Sequence, residues 1–329
     1  MHKTLCLALL LAATAHALAA DDATSKQTAD FRQWQKRVDA EQAAADSALT
    51  DLQQRAAAGD ANAQFELGAL YYLGQGVPQD YAQARVWLEK AATQGHVDAQ
   101  YNLGVLYDNG WGVAQDYTHA AAWYEKAAAQ GHAEAQYNLG VLYAEGQGVA
   151  QDYSKARAWF EKAAAQDDAN AQYSLGILYA KGQGVAQDYG KARAWYEKAA
   201  AQGYADAQYN LGVSYYEGKG VAQNYGQART WWGKAAAQGH AKAQYNLGVL
   251  YDKGQGLAQD YAQARAWYKK AAVQGIPEAQ YGLGVLYYNG EGVPKNINKA
   301  REYFEKAAAQ TGNKEIQQAA QKALQKISQ

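Results

Sequence analysis

The sequence predicts an all-α solenoid, and three observations carry that expectation. A Leu-Gly dipeptide returns at Leu67-Gly68, Leu103-Gly104, Leu139-Gly140, Leu175-Gly176, Leu211-Gly212, Leu247-Gly248 and Leu283-Gly284, each step being 36 residues. A strict period of that length signals stacked units that bury their apolar faces only against one another. Composition agrees: alanine, glutamine, lysine and glutamate abound and only three prolines occur among 329 residues, which favours helix. Finally, every copy contains two stretches bounded by helix start and stop residues.

In chain order, residues 1–20 predict a cleaved signal peptide. Lys3 supplies the positive start, Leu5 to Ala15 a short apolar core, and Ala17-Leu18-Ala19 a small-x-small cleavage site before Asp21-Asp22. That core is too short to span a bilayer, and no later stretch is apolar for long enough. Cys6 is the sole cysteine and sits at the beginning of the apolar core, so neither a lipid anchor nor a disulfide is expected. The destination is periplasmic or secreted.

Residues 21–59 form a polar, helix-prone leader. Its last part, Leu52 to Gly59, aligns with Leu88 to Gly95 and predicts a degenerate second helix capping the first repeat.

The seven repeats occupy residues 60–311 as helix–turn–helix units. The first helix runs near 61–73 in copy one and stops at Gly74, with Gly110, Gly146, Gly182, Gly218, Gly254 and Gly290 in the other copies. Asp80, Asp116, Asp152, Asp188, Asn224, Asp260 and Asn296 then stand where the second helix, near 81–94, should begin. All suit an N-cap. The second helix holds a recurrent alanine (Ala84, Ala120 and their equivalents), which with the Leu-Gly glycine permits close helix approach. Trp123, Trp159, Trp195, Trp231 and Trp267 are expected to fill the gap between neighbouring repeats. Glycine usually closes this helix, and Asp167 departs from that rule. Residues 312–329 read as a C-terminal capping helix, with Ile316, Ala320, Leu324 and Ile327 on one face.

The series A-x-A-Q-Y-N-L-G-x-L-Y-x-x-G-x-G-V-x-x-D-Y-x-x-A-x-x-W-Y-x-K-A-A resembles the Sel1-like repeat, a longer-loop relative of the tetratricopeptide repeat. The resemblance covers about three-quarters of the chain. It implies a right-handed α-solenoid of antiparallel helix pairs acting as an adaptor or scaffold for proteins, often in exported bacterial members. Some cysteine-rich members are described as binding or hydrolysing β-lactams. Those carry a cysteine pair per repeat, and this chain has none after Cys6.

Net charge of −1 with pI near 6.6 leaves no basic face for nucleic acid. His96, His119, His132 and His240 show no metal-ligand spacing, and no nucleophile stands beside a base, so no catalytic residue, metal or cofactor is expected. The expected function is a non-catalytic scaffold, acting as a monomer on a protein or peptide; the alternative is an envelope hydrolase or cell-wall-fragment binder. At ~100° per residue, positions equivalent to 62, 65, 66, 69 and 73 share the open face of the first helix. This yields an aromatic ladder with Tyr101, Tyr137, Tyr173, Tyr209, Tyr245 and Tyr281, beside Asn102, Asn138, Asn210 and Asn246. The tyrosines either contact a ligand or pack one repeat on the next; the asparagines either pair with a peptide backbone or with neighbours. The outermost positions differ between copies and include Lys181 and Lys253, where discrimination between partners is expected.

Overall fold

A computed structural model describes residues 25–328, with side chains from residue 33 onward. The expected signal peptide lies outside the described residues. These form sixteen α-helices and, among the described residues, no strand. The chain divides into two compact units, at Ala163/Ala164.

The first unit holds α1 (Ser25–Ala57), α2 (Ala61–Leu73), α3 (Tyr81–Thr93), α4 (Val97–Asn109), α5 (Tyr117–Ala129), α6 (Ala133–Glu145) and all but the last residue of α7 (Tyr153–Ala164). The leader is one continuous helix of 33 residues, with no glycine or proline to interrupt it. Side-chain bonds one turn apart, Gln35 to Asp39 and Gln42 to Asp46, support its exposed stretch. Its end is the expected cap: Leu52 and Ala56 pack on Ala63 and Leu67 of α2.

The second unit holds α8 (Ala169–Lys181), α9 (Tyr189–Ala201), α10 (Ala205–Glu217), α11 (Tyr225–Ala237), α12 (Ala241–Lys253), α13 (Tyr261–Val273), α14 (Pro277–Asn289), α15 (Ile297–Ala309) and α16 (Lys314–Ile327). Each helix packs on its neighbours in sequence. At the end, Ile316, Ala320, Leu324 and Ile327 of α16 cover Ala300, Phe304 and Ala307 of α15. The fold is an all-α solenoid of helix pairs closed by capping helices.

Helix boundaries follow the punctuation in the sequence. Asp80 Oδ1 accepts from the backbone N–H groups of Ala82 and Gln83, at 2.9 and 3.0 Å, and the Asp or Asn of every other copy does the same work. The histidines before the first helices are caps as well. The N–H groups of Ala99, Ala135 and Ala243 donate to Nδ1 of His96, His132 and His240 at 3.3, 3.3 and 3.1 Å. Asp167 takes a left-handed φ of 64°, the one non-glycine to do so among the described residues.

Two contacts explain the glycines. A Cβ on Gly104, inside α4, would lie 2.6 Å from the Tyr124 ring, so this glycine lets the buried aromatic of α5 lie against the α4 backbone. A Cβ on Gly112, in the following loop, would lie 2.4 Å from the backbone of Tyr81 in the previous repeat. The first contact joins the helices of one repeat; the second joins successive repeats. The large side chain against the Leu-Gly glycine is the residue after the tryptophan position: Leu88, Tyr124, Phe160, Tyr196, Trp232, Tyr268 or Phe304. The half-buried tryptophans pack where repeats meet, as expected: Trp123 lies against a buried cluster that runs from Ala84 and Leu88 to Leu103, and Trp267 against one that runs from Ala228 and Trp232 to Leu247.

A glutamine seam runs beneath these layers. Gln64, Gln100, Gln136, Gln172, Gln208, Gln244 and Gln280 are all buried, at 2–6% exposure. Gln100 Nε2 donates to the carbonyl of Ala92 in the preceding helix at 3.1 Å. Its Oε1 accepts from Gln130 Nε2, 2.8 Å away, which also reaches the Gly95 carbonyl. The same relay recurs at Gln64, Gln208 and Gln244. Buried amides are thereby satisfied across three successive helices.

Candidate functional site

The open side of each first helix falls where the periodicity places it: Asn62 and Glu66 are exposed, Phe65 half-buried, and Ala63, Gln64, Leu67 and Gly68 buried. In the first unit the Tyr101 ring stacks on His132, the cap of the next first helix, with centroids 4.4 Å apart, and tilts against Tyr124 at 5.9 Å. Tyr137 tilts against Phe160.

In the second unit Tyr173 lies on Tyr204 and Tyr209 on His240, at 5.0 and 4.6 Å. Tyr245 stacks on Tyr268 and Tyr281 tilts against Phe304. One face of each ring is therefore engaged in packing. Burial raises the Tyr101, Tyr209 and Tyr245 phenols, and pushes Tyr173 up to about 12, so these hydroxyls stay protonated at neutral pH.

The asparagine ladder is tied to the tyrosine ladder one repeat behind. Asn210 Nδ2 donates to Tyr173 Oη at 3.5 Å, and Asn138 and Asn246 lie near enough to Tyr101 and Tyr209 to pull their phenols down against burial. Asn102 stands one repeat after Phe65, which offers no hydroxyl. Lys181 and Lys253 are exposed in the last turns of α8 and α12 and form no ion pair. They join neither the tyrosine stacks nor the asparagine bonds.

In the second and sixth copies the variable position before the lysine position bonds inside the repeat. Asp108 Oδ2 accepts from the Tyr124 hydroxyl and Asp252 Oδ2 from Tyr268, each at 3.0 Å. Where the buried partner is Phe160, Ala144 takes that place. Where it is Trp232, Tyr216 does, tilting on the indole at 5.3 Å.

Periodicity did not disclose a cleft of ≈ 360 Å³ at the end of the second unit. Tyr281, Val285 and Tyr288 of α14 and Phe304 of α15 line it, with Lys322 and Lys326 of α16 beside them. Its one sequence signal is the pair of lysines one turn apart beside the apolar face of the capping helix.

The histidines are occupied as caps and stacking partners, and His119 bonds to Asp116 at 2.7 Å. Among the described residues no three His, Cys, Asp or Glu side chains cluster as metal ligands, and no helix is long and apolar enough to cross a membrane.

Comparison with known proteins fits this geometry. The Sel1 repeat model matches seven times, at residues 61–96, 97–132, 133–168, 169–204, 205–240, 241–276 and 277–311. A Sel1 repeat protein from Oxalobacter formigenes is 34% identical over 94% of this chain and 84% of its own, with a TM-score of 0.69. A protective antigen present in uropathogenic Escherichia coli strains, displaying an SLR fold, is 38% identical over 85% of this chain and 67% of its own, with a TM-score of 0.56. No curated protein sequence matches. Sel1 repeat proteins are generally protein-interaction scaffolds. With consecutive matches over most of its length, the chain belongs to the Sel1 repeat family.

Proposed function

We infer that the chain is a non-catalytic scaffold that binds a protein or peptide on the open faces of its first helices. The observation that carries this reading is the cleft between α14 and α16. Its floor is aromatic and aliphatic, from Tyr281, Val285, Tyr288 and Phe304, and its rim carries Lys322 and Lys326. Apolar anchoring beside a charged rim is the anatomy of a side-chain pocket for a polypeptide. Lys181 and Lys253 extend the positive character along this unit, while Glu217 is held by Lys219 at 2.6 Å. An acidic partner is favoured.

The place of action we propose is the cell envelope or the exterior. Lys3, the apolar run to Ala15 and the Ala17-Leu18-Ala19 site support it. Fractionation of cells and culture supernatant checks this directly.

Crosslinking in the envelope, followed by binding measurements with the purified partner, tests the scaffold reading. K181E, K253E and K326E should each weaken the partner several-fold, and a change at Gln183 should not. Equal effects at all four positions would remove the groove from the account. Turnover of a chromogenic β-lactam or of muropeptides, abolished by one substitution, would replace the scaffold by an enzyme.

A further inference from the structure

The outer side of the second helices carries a position that changes sign between copies. Arg193 of α9 pairs with Glu197 one turn on, as Arg85 does with Glu89 and Arg157 with Glu161. In α13 the acid is gone: Arg265 is followed by Lys269, and neither forms an ion pair. Both line a cleft of ≈ 370 Å³ with Leu283 and Tyr287 of α14 and Lys299, Glu302 and Tyr303 of α15.

Glu302 is already held by Lys306 at 2.6 Å, with Lys299 also within electrostatic reach. Tyr287 and Tyr303 stack nearly parallel, 7° apart with centroids at 5.8 Å. Lys299 Nζ sits 5.3 Å from the Tyr287 ring centre, and Arg265 is near enough to act on the Tyr303 phenol. The equivalent positions one repeat earlier are Arg229, Gly233 and Gln263, with a single cation. Two repeats earlier they are Arg193, Glu197 and Gln227, a neutral set. Positive charge is concentrated at this one step of the second unit.

Three cations on one cleft repel each other, and the single carboxylate present is shared with a fourth. An anion would complete such a site. A dianion matches three positive charges better than a monoanion, and a guanidinium flanked by ammonium groups suits tetrahedral oxygens. The stacked tyrosines offer a flat apolar wall. We propose that this cleft binds a phosphate monoester, with the body of the ligand against Tyr287 and Tyr303. A soluble ester and a lipid headgroup present the same phosphate.

The test is calorimetric titration of the purified protein with phenyl phosphate, alongside co-sedimentation with phosphatidic-acid and phosphatidylcholine vesicles. K269E creates at an exposed position the Arg–Glu pattern of Arg85, Arg157 and Arg193. K322E makes the same charge change at the other cleft. Saturable binding, weakened about tenfold or more by K269E and little by K322E, is expected from the loss of a charged hydrogen bond. Such binding to phosphatidic-acid vesicles alone assigns the phosphate to a lipid. No saturable binding in either arm overturns the proposal, as does an equal loss from K269E and K322E. Thermal melts of both variants establish that they fold.

Discussion

Tyr124 donates its phenolic hydrogen to Asp108 Oδ2 across the two helices of the second repeat, and Tyr268 repeats the bond to Asp252 in the sixth. Burial raises both carboxyls above their ordinary range, against the pull of the tyrosine hydrogen bond. The folded protein therefore keeps these protons to higher pH than the unfolded chain does. Their contribution to stability is full below the unfolded value and is lost as pH rises through the folded one. The variant D108N/D252N removes both titrations and keeps an oxygen to accept the hydroxyl. Its Tm relative to wild type should climb between about pH 3 and about pH 7. A pH-independent difference would contradict this.

The glycine inside each first helix should tolerate alanine according to what faces it. At Gly212 a Cβ would meet Trp232 at 2.2 Å, whereas at Gly68 the nearest atoms are Leu88 Cγ at 2.9 Å and the Leu88 backbone N at 3.2 Å. G212A should lose about 1–3 kcal/mol by overpacking, more than the ~1 kcal/mol that alanine gains in a helix. G68A should lose less, because Leu88 is smaller than the indole and yields more readily. Urea unfolding ranks the two, and W232L should recover part of the G212A loss.

The glutamine seam supplies an internal control. Gln244 bonds to the Ala236 carbonyl and accepts from Gln274, but the buried Oε1 of Gln280 has no partner. Q244L strands groups on both sides and should cost about 1–3 kcal/mol. Q280L breaks one bond and removes an oxygen that was unsatisfied, so its cost should be smaller. Equal losses in chemical denaturation would mean that the seam contributes by volume alone.

At Asp167 the backbone adopts a conformation that glycine supplies in the other copies, with φ of 95° at Gly131 and 90° at Gly203. D167G should stabilise the protein by up to about 1 kcal/mol, and G131A should destabilise it by a similar amount. Space plays no part at Gly131, since nothing lies within 4 Å of a Cβ there. A shift of Tm in the same direction for both variants would exclude the backbone explanation.

Helix boundaries were legible in the sequence because local chemistry sets them. Asp60 and Gly74 delimit α2 at Ala61 and Leu73, where the periodicity puts it. The periodicity puts Gln64 and its equivalents on the packing face of the first helix, but it does not show the bonds that satisfy them, which come from backbone and glutamine groups 8 and 30 residues away. Likewise Asp108 reads as a rim position, because the hydroxyl that holds it lies 16 residues away on another helix. The ladder of tyrosines was visible, but not its stacking on His132 and His240, which depends on how far apart successive first helices sit. Sequence punctuation marks where helices start and stop; the spacing between them emerges only from packed side chains.

The bonds that join one repeat to the next link chemically identical groups at a fixed offset. Gln238 bonds to Gln208 and the Gly203 carbonyl, and Gln274 bonds to Gln244 and the Gly239 carbonyl. Excision of residues 205–240 would bring Gln244 to the Ala200 carbonyl and Gln274 to that of Gly203, groups of the same kind as those it loses. The register heals itself only when whole copies are removed or added. Such a chain can change its length in increments of one copy, by recombination between its own repeats, without redesigning a single interface.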